Sequence, residues 1–180
     1  MKYLIASDIH GVAPTCEQLT EAIGREQPDK ILLLGDILYH GPRNGVPEGY
    51  DPVKVIDMLN PLAENILCVR GNCDAEVDQM VLKFELMADY MVLPFEKCTV
   101  FVTHGHHYNT ANPPLLPKNG ILLHGHTHVS ALEEHEGYVY MNPGSVSLPK
   151  EDTPRGYMTF DGSTFLWKTL DGTVYRRFEA

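Results

Sequence analysis

Tyr3-Leu4-Ile5-Ala6-Ser7-Asp8-Ile9-His10 sets an apolar run directly before an aspartate and a histidine two positions apart. The same arrangement recurs four times. Ile31-Leu32-Leu33-Leu34 precedes Gly35-Asp36, and Ile66-Leu67-Cys68-Val69 precedes Gly71-Asn72. Val100-Phe101-Val102 precedes Thr103-His104-Gly105, and Ile121-Leu122-Leu123 precedes Gly125-His126-Thr127-His128. Runs of this length, bounded by glycine or turn residues, read as buried strands. Five strand ends would bring Asp8, His10, Asp36, Asn72, His104, His126 and His128 to one sheet edge.

Working outward, the first half alternates strand and helix. Leu19, Ala22 and Ile23 have helical spacing, so a helix is predicted over 14–26, with Pro14 in its first turn. Asp51 is predicted to cap a second helix that opens at Pro52, runs through Leu59 and stops at Asn60-Pro61. A third is predicted over 74–82. Alternation of this kind implies parallel strands with right-handed crossovers, and binding sites at their carboxyl ends. The second half holds close-spaced strands at 138–141, 157–160 and 164–167, with turn pairs at Glu136-Gly137, Asp161-Gly162 and Asp171-Gly172. The expectation is an α/β fold of two packed sheets with helices outside, in a single domain over 1–180. Residues 41–50 and 108–119, rich in Gly, Pro and Asn, are predicted to form loops around the site.

Bulk composition narrows the function. The formal net charge is −10 and the sequence contains no basic stripe, which argues against a nucleic-acid partner. An acidic exterior also repels polyanions at long range, so phosphate affinity must come from bound metals and a few local cations. No apolar run approaches the ~20 residues of a membrane span, and the apolar start is too short for a signal peptide. Cys16, Cys68, Cys73 and Cys98 form no CxxC pair, so reduced thiols and a cytoplasmic location are expected.

Singly, these motifs say little: a lone Gly-Asp is most often a turn, and a lone strand-end histidine is usually structural. Together they describe a site for two divalent ions. Asp8 and His10 would share one face if their strand continued and both could reach one ion, and His126 and His128 repeat that spacing. Asp36 has two oxygens with which to bridge ions, Asn72 offers a neutral oxygen, and His104 adds an imidazole. Nitrogen and oxygen ligands without thiolate suit Mn²⁺, with Zn²⁺, Fe²⁺, Ni²⁺ and Mg²⁺ as alternatives. Two ions ~3.5–4 Å apart clamp the attacking and departing oxygens of a phosphoryl transfer.

Asp-x-His, Gly-Asp, Gly-Asn, a Gly-flanked His and Gly-His-x-His, in that order, resemble the calcineurin-like metallophosphoesterases over essentially the whole chain. Residues 35–44, Gly71-Asn72-Cys73-Asp74 and Asn142-Pro143-Gly144-Ser145 are similar to the small bacterial YfcE-like phosphodiesterases within them. The resemblance implies a four-layer αββα sandwich with two mixed sheets. It implies one ion held by Asp8, His10, Asp36 and His128, and another by Asp36, Asn72, His104 and His126. It further implies hydrolysis of a small phosphate ester, a phosphodiester, by a hydroxide bridging two metal ions. Two other readings are a scaffold like the retromer subunit of the same fold, and a nucleotide or dinucleoside polyphosphate hydrolase.

One position departs from the family pattern. Many relatives carry histidine after the Gly-Asn asparagine, as proton donor to the leaving group. Here Cys73 stands in that place, and Asp74, which would orient the histidine, loses its partner. Cys73, Asp74 and His40 are therefore the candidate catalytic residues, with His40 a substitute donor or a loop-fixing group. Arg43 and Asn44 are candidate phosphate contacts, Arg by a bidentate pair. His106 is a substrate candidate, while His107 is expected at the surface and His124 in the packing. Ser145 lacks a nucleophile elbow and is expected to shape a loop. The apolar stretch over 84–91 offers a surface for homo-oligomer formation.

Overall fold

The computed structural model describes residues 1–180. The six-stranded sheet centres on β1 (Tyr3–Ala6), flanked by parallel β2 (Lys30–Leu33) and β3 (Ile66–Cys68). The five-stranded sheet contains β4 (Tyr90–Pro94), β5 (Thr99–Thr103), β6 (Gly120–Leu123), β7 (Ser130–His135) and β8 (Tyr138–Pro143), in the order β4-β5-β6-β8-β7. The chain then returns to the first sheet as β9 (Gly156–Phe160), β10 (Thr164–Thr169) and β11 (Val174–Glu179), giving the order β11-β10-β9-β1-β2-β3. β9 pairs antiparallel with β1, while β5, β6 and β8 run parallel, so both sheets are mixed.

Strand alternation divides the core into layers. Ile5, Leu32 and Leu34 face inward and meet Val100, Val102, Ile121 and Leu123 of the second sheet. Leu4, Ala6, Ile31 and Leu33 face outward and are covered by α1 (Ala13–Glu26) through Cys16 and Leu19, and by α2 (Pro52–Leu59) through Val55 and Leu59. Phe101, Leu122 and Tyr140 form the outer face of the second sheet, covered by Tyr108 and Leu116 of the 104–119 segment. The expected layered α/β architecture is present, with its outermost layer over the second sheet built from loop residues. The sheets are also joined by a hydrogen bond: the Trp167 indole N–H donates to the Asn142 carbonyl at 2.8 Å.

The α2 boundaries match expectation, and the Asp51 carboxylate accepts the Lys54 N–H at 3.2 Å as its cap. Asn60-Pro61 ends the α-helix, but the chain tightens into a 3₁₀ segment, Asn60–Asn65. The third helix, α3 (Glu76–Gln79), is one turn rather than the predicted 74–82. The Gln79 side chain diverts the backbone, donating to the Leu82 and Phe84 carbonyls and accepting from Leu86 N–H. Phe84 and Leu86 are thereby buried, while Glu85, Ala88, Asp89 and Tyr90 stay exposed, so the 84–91 stretch presents Tyr90 but no continuous apolar surface. No helix is long and apolar enough to cross a membrane.

Candidate metal centre

All five ligand clusters lie just beyond the carboxyl ends of β1, β2, β3, β5 and β6. The loops after β1 and β2 run side by side, with Asp8 N–H donating to Gly35 O at 3.1 Å and His10 N–H to Asp36 O at 2.9 Å. Across the sheets, His126 N–H donates to Asp8 Oδ2 at 3.0 Å. Three close groupings result: Asp8, His10 and His128; Asp36, His104 and His126; and His10, Asp36 and Cys73. Within each, the ligand atoms lie within 4.8 Å of one another. The amide oxygen of Asn72 sits 3.0 Å from His104 Nε2, which places the seventh predicted ligand beside the second grouping.

Their convergence does not come from strand alternation, as the sequence suggested. β1 stops at Ala6, before either ligand. Asp8, His10, Asp36, His126 and His128 instead adopt left-handed backbone, with φ of +57°, +52°, +57°, +67° and +64°. Such angles cost a non-glycine residue on the order of 1–2 kcal/mol each. The cross-loop hydrogen bonds offset that cost. The strained conformations turn alternate side chains into the cleft, while the intervening Ile9 is buried in the core.

The motif glycines are required by close approach. A Cβ on Gly71 would lie 2.1 Å from Asp36 Oδ1, and one on Gly35, at φ +92°, would lie 2.4 Å from Gly71 N. The Gly-Asp and Gly-Asn loops pack backbone to backbone, which only glycine permits.

The imidazoles are oriented for cations. Nδ1 of His10 donates to Tyr39 O at 2.8 Å, Nδ1 of His128 to Leu148 O at 2.7 Å, and Nδ1 of His104 to Leu34 O at 2.6 Å. A carbonyl only accepts, so each Nδ1 carries a proton, and each neutral ring presents an Nε2 lone pair to the cleft. Yet His10 Nε2 faces His128 Nε2 at 3.2 Å, and His104 Nε2 faces His126 Nδ1 at 3.1 Å. Two neutral rings would set lone pair against lone pair in the His10–His128 contact, so that pair needs a cation between its members, either a proton or a metal ion, whereas a neutral His126 protonated on Nδ1 donates to the His104 Nε2 lone pair. Asp8 Oδ1, fully buried, has no hydrogen-bond partner and stands 3.6 Å from His10 Nε2 and 3.3 Å from His128 Nε2. An orphaned buried carboxylate oxygen beside two facing imidazoles fits a bound divalent ion.

Electrostatics agree with that geometry. Burial opposes ionisation of Asp8, but the neighbouring His10 and His128 outweigh it and hold its carboxyl well below the ordinary range. Burial likewise opposes charge on His104, but Asp36 and Asp8 push its pKa up to about 9. The cationic site so formed has a different neighbour in His106: burial and the adjacent His104 press it down to about 4.

The three candidate catalytic residues have separate fates. The Cys73 N–H donates to Asp36 Oδ1 at 2.8 Å, and its Sγ accepts from Asn72 Nδ2 at 3.2 Å, which turns the Asn72 oxygen towards His104. Burial and the Asp36 charge push the thiol up to about 12, so it stays protonated at neutral pH. The Asp74 carboxylate accepts three backbone N–H groups and so positions loops at the wall of the cleft. His40 stands apart: its ring packs against Tyr39 and Tyr50, its Nδ1 bonds Gly41 O at 2.8 Å, and it does not line the cleft.

Around the ligands opens a cleft of about 700 Å³, whose wall includes Tyr39 and, from the predicted mouth loop, Arg43 and Asn44. His106 also lines it, whereas His107 stacks on His106 at 4.0 Å. His124 turns away to stack on Tyr140 at 4.4 Å, and the Ser145 hydroxyl donates to Asp8 O at 2.8 Å, both in the packing roles expected. Two cleft cations escaped the sequence reading, Arg70 and Lys150. Arg70 carried a signal, being a lone cation between an apolar run and Gly71-Asn72. Lys150 carried none.

A family model described as the calcineurin-like phosphoesterase superfamily domain matches residues 1–164. The chain is 45% identical over 161 residues to phosphodiesterase YfcE of Escherichia coli strain K12, covering 89% of this chain and 88% of that protein. The solved structure of the E. coli phosphoesterase Yfce superposes with a TM-score of 0.95 at 41% identity, covering 99% of both chains. The zinc complex of Vps29 from Entamoeba histolytica superposes with a TM-score of 0.64 at 20% identity over 99% of both chains, a likeness of fold alone.

Proposed function

The chain belongs to the calcineurin-like phosphoesterase superfamily, and from that we propose that it is a phosphodiesterase working with two divalent metal ions. The observation that carries this reading is the pair of imidazole–imidazole contacts on either side of Asp36, His10 with His128 and His104 with His126. In this reading Asp8, His10, Asp36 and His128 hold one ion, and Asp36, Asn72, His104 and His126 the other. Manganese is the proposed metal, on the nitrogen and oxygen character of the donors. Bound there, the ions supply Lewis acidity, neutralising phosphoryl charge and lowering the pKa of water towards neutrality.

The protein's own contribution is positioning. Carbonyls hold His10, His104 and His128 in the tautomer that aims Nε2 at the cleft. Cys73 N–H fixes the Asp36 carboxylate, and Cys73 Sγ fixes the Asn72 amide. No imidazole stands at position 73 to protonate a departing alkoxide, and a thiol pushed up to about 12 is a reluctant donor. Diesters with good leaving groups should therefore react best. Four free cysteines suit a reducing, cytoplasmic compartment.

The test is Mn²⁺-dependent hydrolysis of bis(p-nitrophenyl) phosphate. Asp36→Asn is expected to lower it by roughly 10²-fold or more, since both ions share that carboxylate. Hydrolysis unaffected by chelator or by this variant would exclude the reading. A scaffold role is disfavoured by the complete ligand set, since a module that only binds a partner does not need all seven side chains.

A further inference from the structure

Arg43, Arg70 and Lys150 line the same cleft as the candidate ligands Asp36, Asn72 and His126. Their convergence stands out in a chain with 14 Lys and Arg against 24 Asp and Glu. Two of them are fixed to opposite halves of the site through their backbones. Lys150 N–H donates to His128 O at 3.0 Å, placing the lysine beside the His10–His128 half. Arg70 N–H donates to Ala88 O at 2.8 Å and its Nε to Asp74 O at 3.2 Å, placing the guanidinium beside the Asp36–Asn72 half. Arg43 rises from the mouth loop. Neither Arg43 nor Lys150 is in an ion pair, and Arg70 reaches Glu76 only at 4.0 Å.

Charge balance makes these cations surplus to a simple diester. Two divalent ions set against Asp8 and Asp36 leave two positive charges. A diester monoanion and an ionised nucleophile already match those two. Three further cations, Arg43 and Lys150 unpaired and Arg70 only loosely paired with Glu76, focus potential on a second anionic group in a chain of acidic net charge. Guanidinium forks suit phosphate oxygens bidentately and a lysine serves as a point charge. Tyr39, 41% exposed at the same cleft, offers an aromatic face to the arm between the two phosphates.

We propose that the preferred substrate is a phosphodiester carrying a second phosphate on one ester arm, the second phosphate being read by Arg43, Arg70 and Lys150. The inference rests on the phosphodiesterase reading above. A matched pair of substrates separates the two: the p-nitrophenyl ester of thymidine 5′-phosphate, and the same compound bearing a 3′-phosphate. Both release p-nitrophenolate, so only the distal charge differs.

With Mn²⁺-loaded full-length protein, the 3′-phosphate is expected to raise kcat/KM roughly tenfold, through KM. That ratio should shrink with added KCl. It should approach one in the Arg70→Met, Lys150→Met double variant, whose fold is checked by circular dichroism and thermal melting. A ratio of about one in the unmodified protein overturns the proposal, as does a ratio that survives intact in the folded double variant. If neither ester nor bis(p-nitrophenyl) phosphate is hydrolysed, the phosphodiesterase reading fails and the proposal falls with it.

Discussion

The Asp74 carboxylate accepts the backbone N–H of Asp36 at 2.8 Å, tying the loop that carries Asp36 to the loop that carries Asn72. The same carboxylate accepts Ile37 N–H at 2.9 Å and Gly71 N–H at 2.7 Å. Asparagine has one acceptor oxygen in place of two and would turn an NH₂ towards backbone donors. Asp74→Asn is therefore expected to destabilise the fold by about 2–4 kcal/mol and to weaken metal binding by roughly 10–100-fold. Thermal melting and metal titration calorimetry check both. Unchanged metal affinity would show that the clamp does not set the ligand geometry.

The Gly35–Gly71 contact predicts a more severe loss. Gly71→Ala would drive a methyl to 2.3 Å from Asp36 N and 2.1 Å from Asp36 Oδ1, well inside contact distance. The backbones must separate, so the variant should lose stoichiometric metal binding even where circular dichroism reports native secondary structure. Full metal occupancy in that variant would contradict the packing argument.

Much of this site was legible in the sequence because each ligand follows an apolar run, and an apolar run followed by glycine reports a strand end directly. β1 and α2 fall within their expected boundaries for that reason. The left-handed backbone of Asp8, His10, Asp36, His126 and His128 was not legible, since it depends on hydrogen bonds between loops distant in the chain. Spacing from Asp36 could not choose between the two roles open to His40, donor or loop-fixing group, because it says nothing about the aromatic pair, Tyr39 and Tyr50, against which its ring packs. β4, β7 and β11 were missed: all are edge strands, β7 and β11 half polar with no uninterrupted apolar run, and β4, though apolar, opens inside the 84–91 stretch and was not separated from it.

Position 73 offers a gain-of-function test. A histidine there would supply an imidazolium close to Asp36, where the thiol is held near 12. Cys73→His is expected to raise kcat on alkyl phosphomonoesters roughly 10-fold or more, within the usual contribution of general acid catalysis, and to change aryl diester hydrolysis little. If the variant gains nothing on alkyl monoesters while retaining aryl diester activity, the missing proton donor is not what limits this enzyme.

Away from the site, Glu26 joins the end of α1 to Lys2, just before β1, and to β9 and β10. Its carboxylate is bonded by Lys168 Nζ at 2.7 Å, Lys2 Nζ at 2.8 Å and the Tyr157 hydroxyl at 2.8 Å. Burial raises its pKa, but these donors outweigh burial and hold it at about 2. A depressed carboxyl stabilises the fold fully above its unfolded pKa, near 4.5, and the contribution is lost as pH falls towards about 2. Glu26→Gln should lower Tm near neutral pH by about 5 °C, from a loss of about 2 kcal/mol. The gap between the two proteins should close as pH falls through that window. A gap independent of pH would mean that packing, not charge, carries the effect.

The facing imidazoles make a prediction about protons. In the metal-free protein a proton must occupy the place between His104 and His126, and His104, opposed by burial but favoured by Asp36 and Asp8, holds one up to about pH 9. A raised histidine stabilises the metal-free fold fully below its unfolded pKa, and that contribution fades as pH rises through about 9. A divalent ion has to displace this proton, because Nε2 cannot donate to a metal while protonated. Titration calorimetry in buffers of different ionisation enthalpy, near pH 7, should therefore report release of about one proton or more per chain on metal binding. The released fraction should decline as pH approaches 9, and metal should restore the thermal stability that the metal-free protein loses there. Binding without proton release near neutral pH would mean that His104 is already neutral and accepts the Nδ1 proton of a neutral His126.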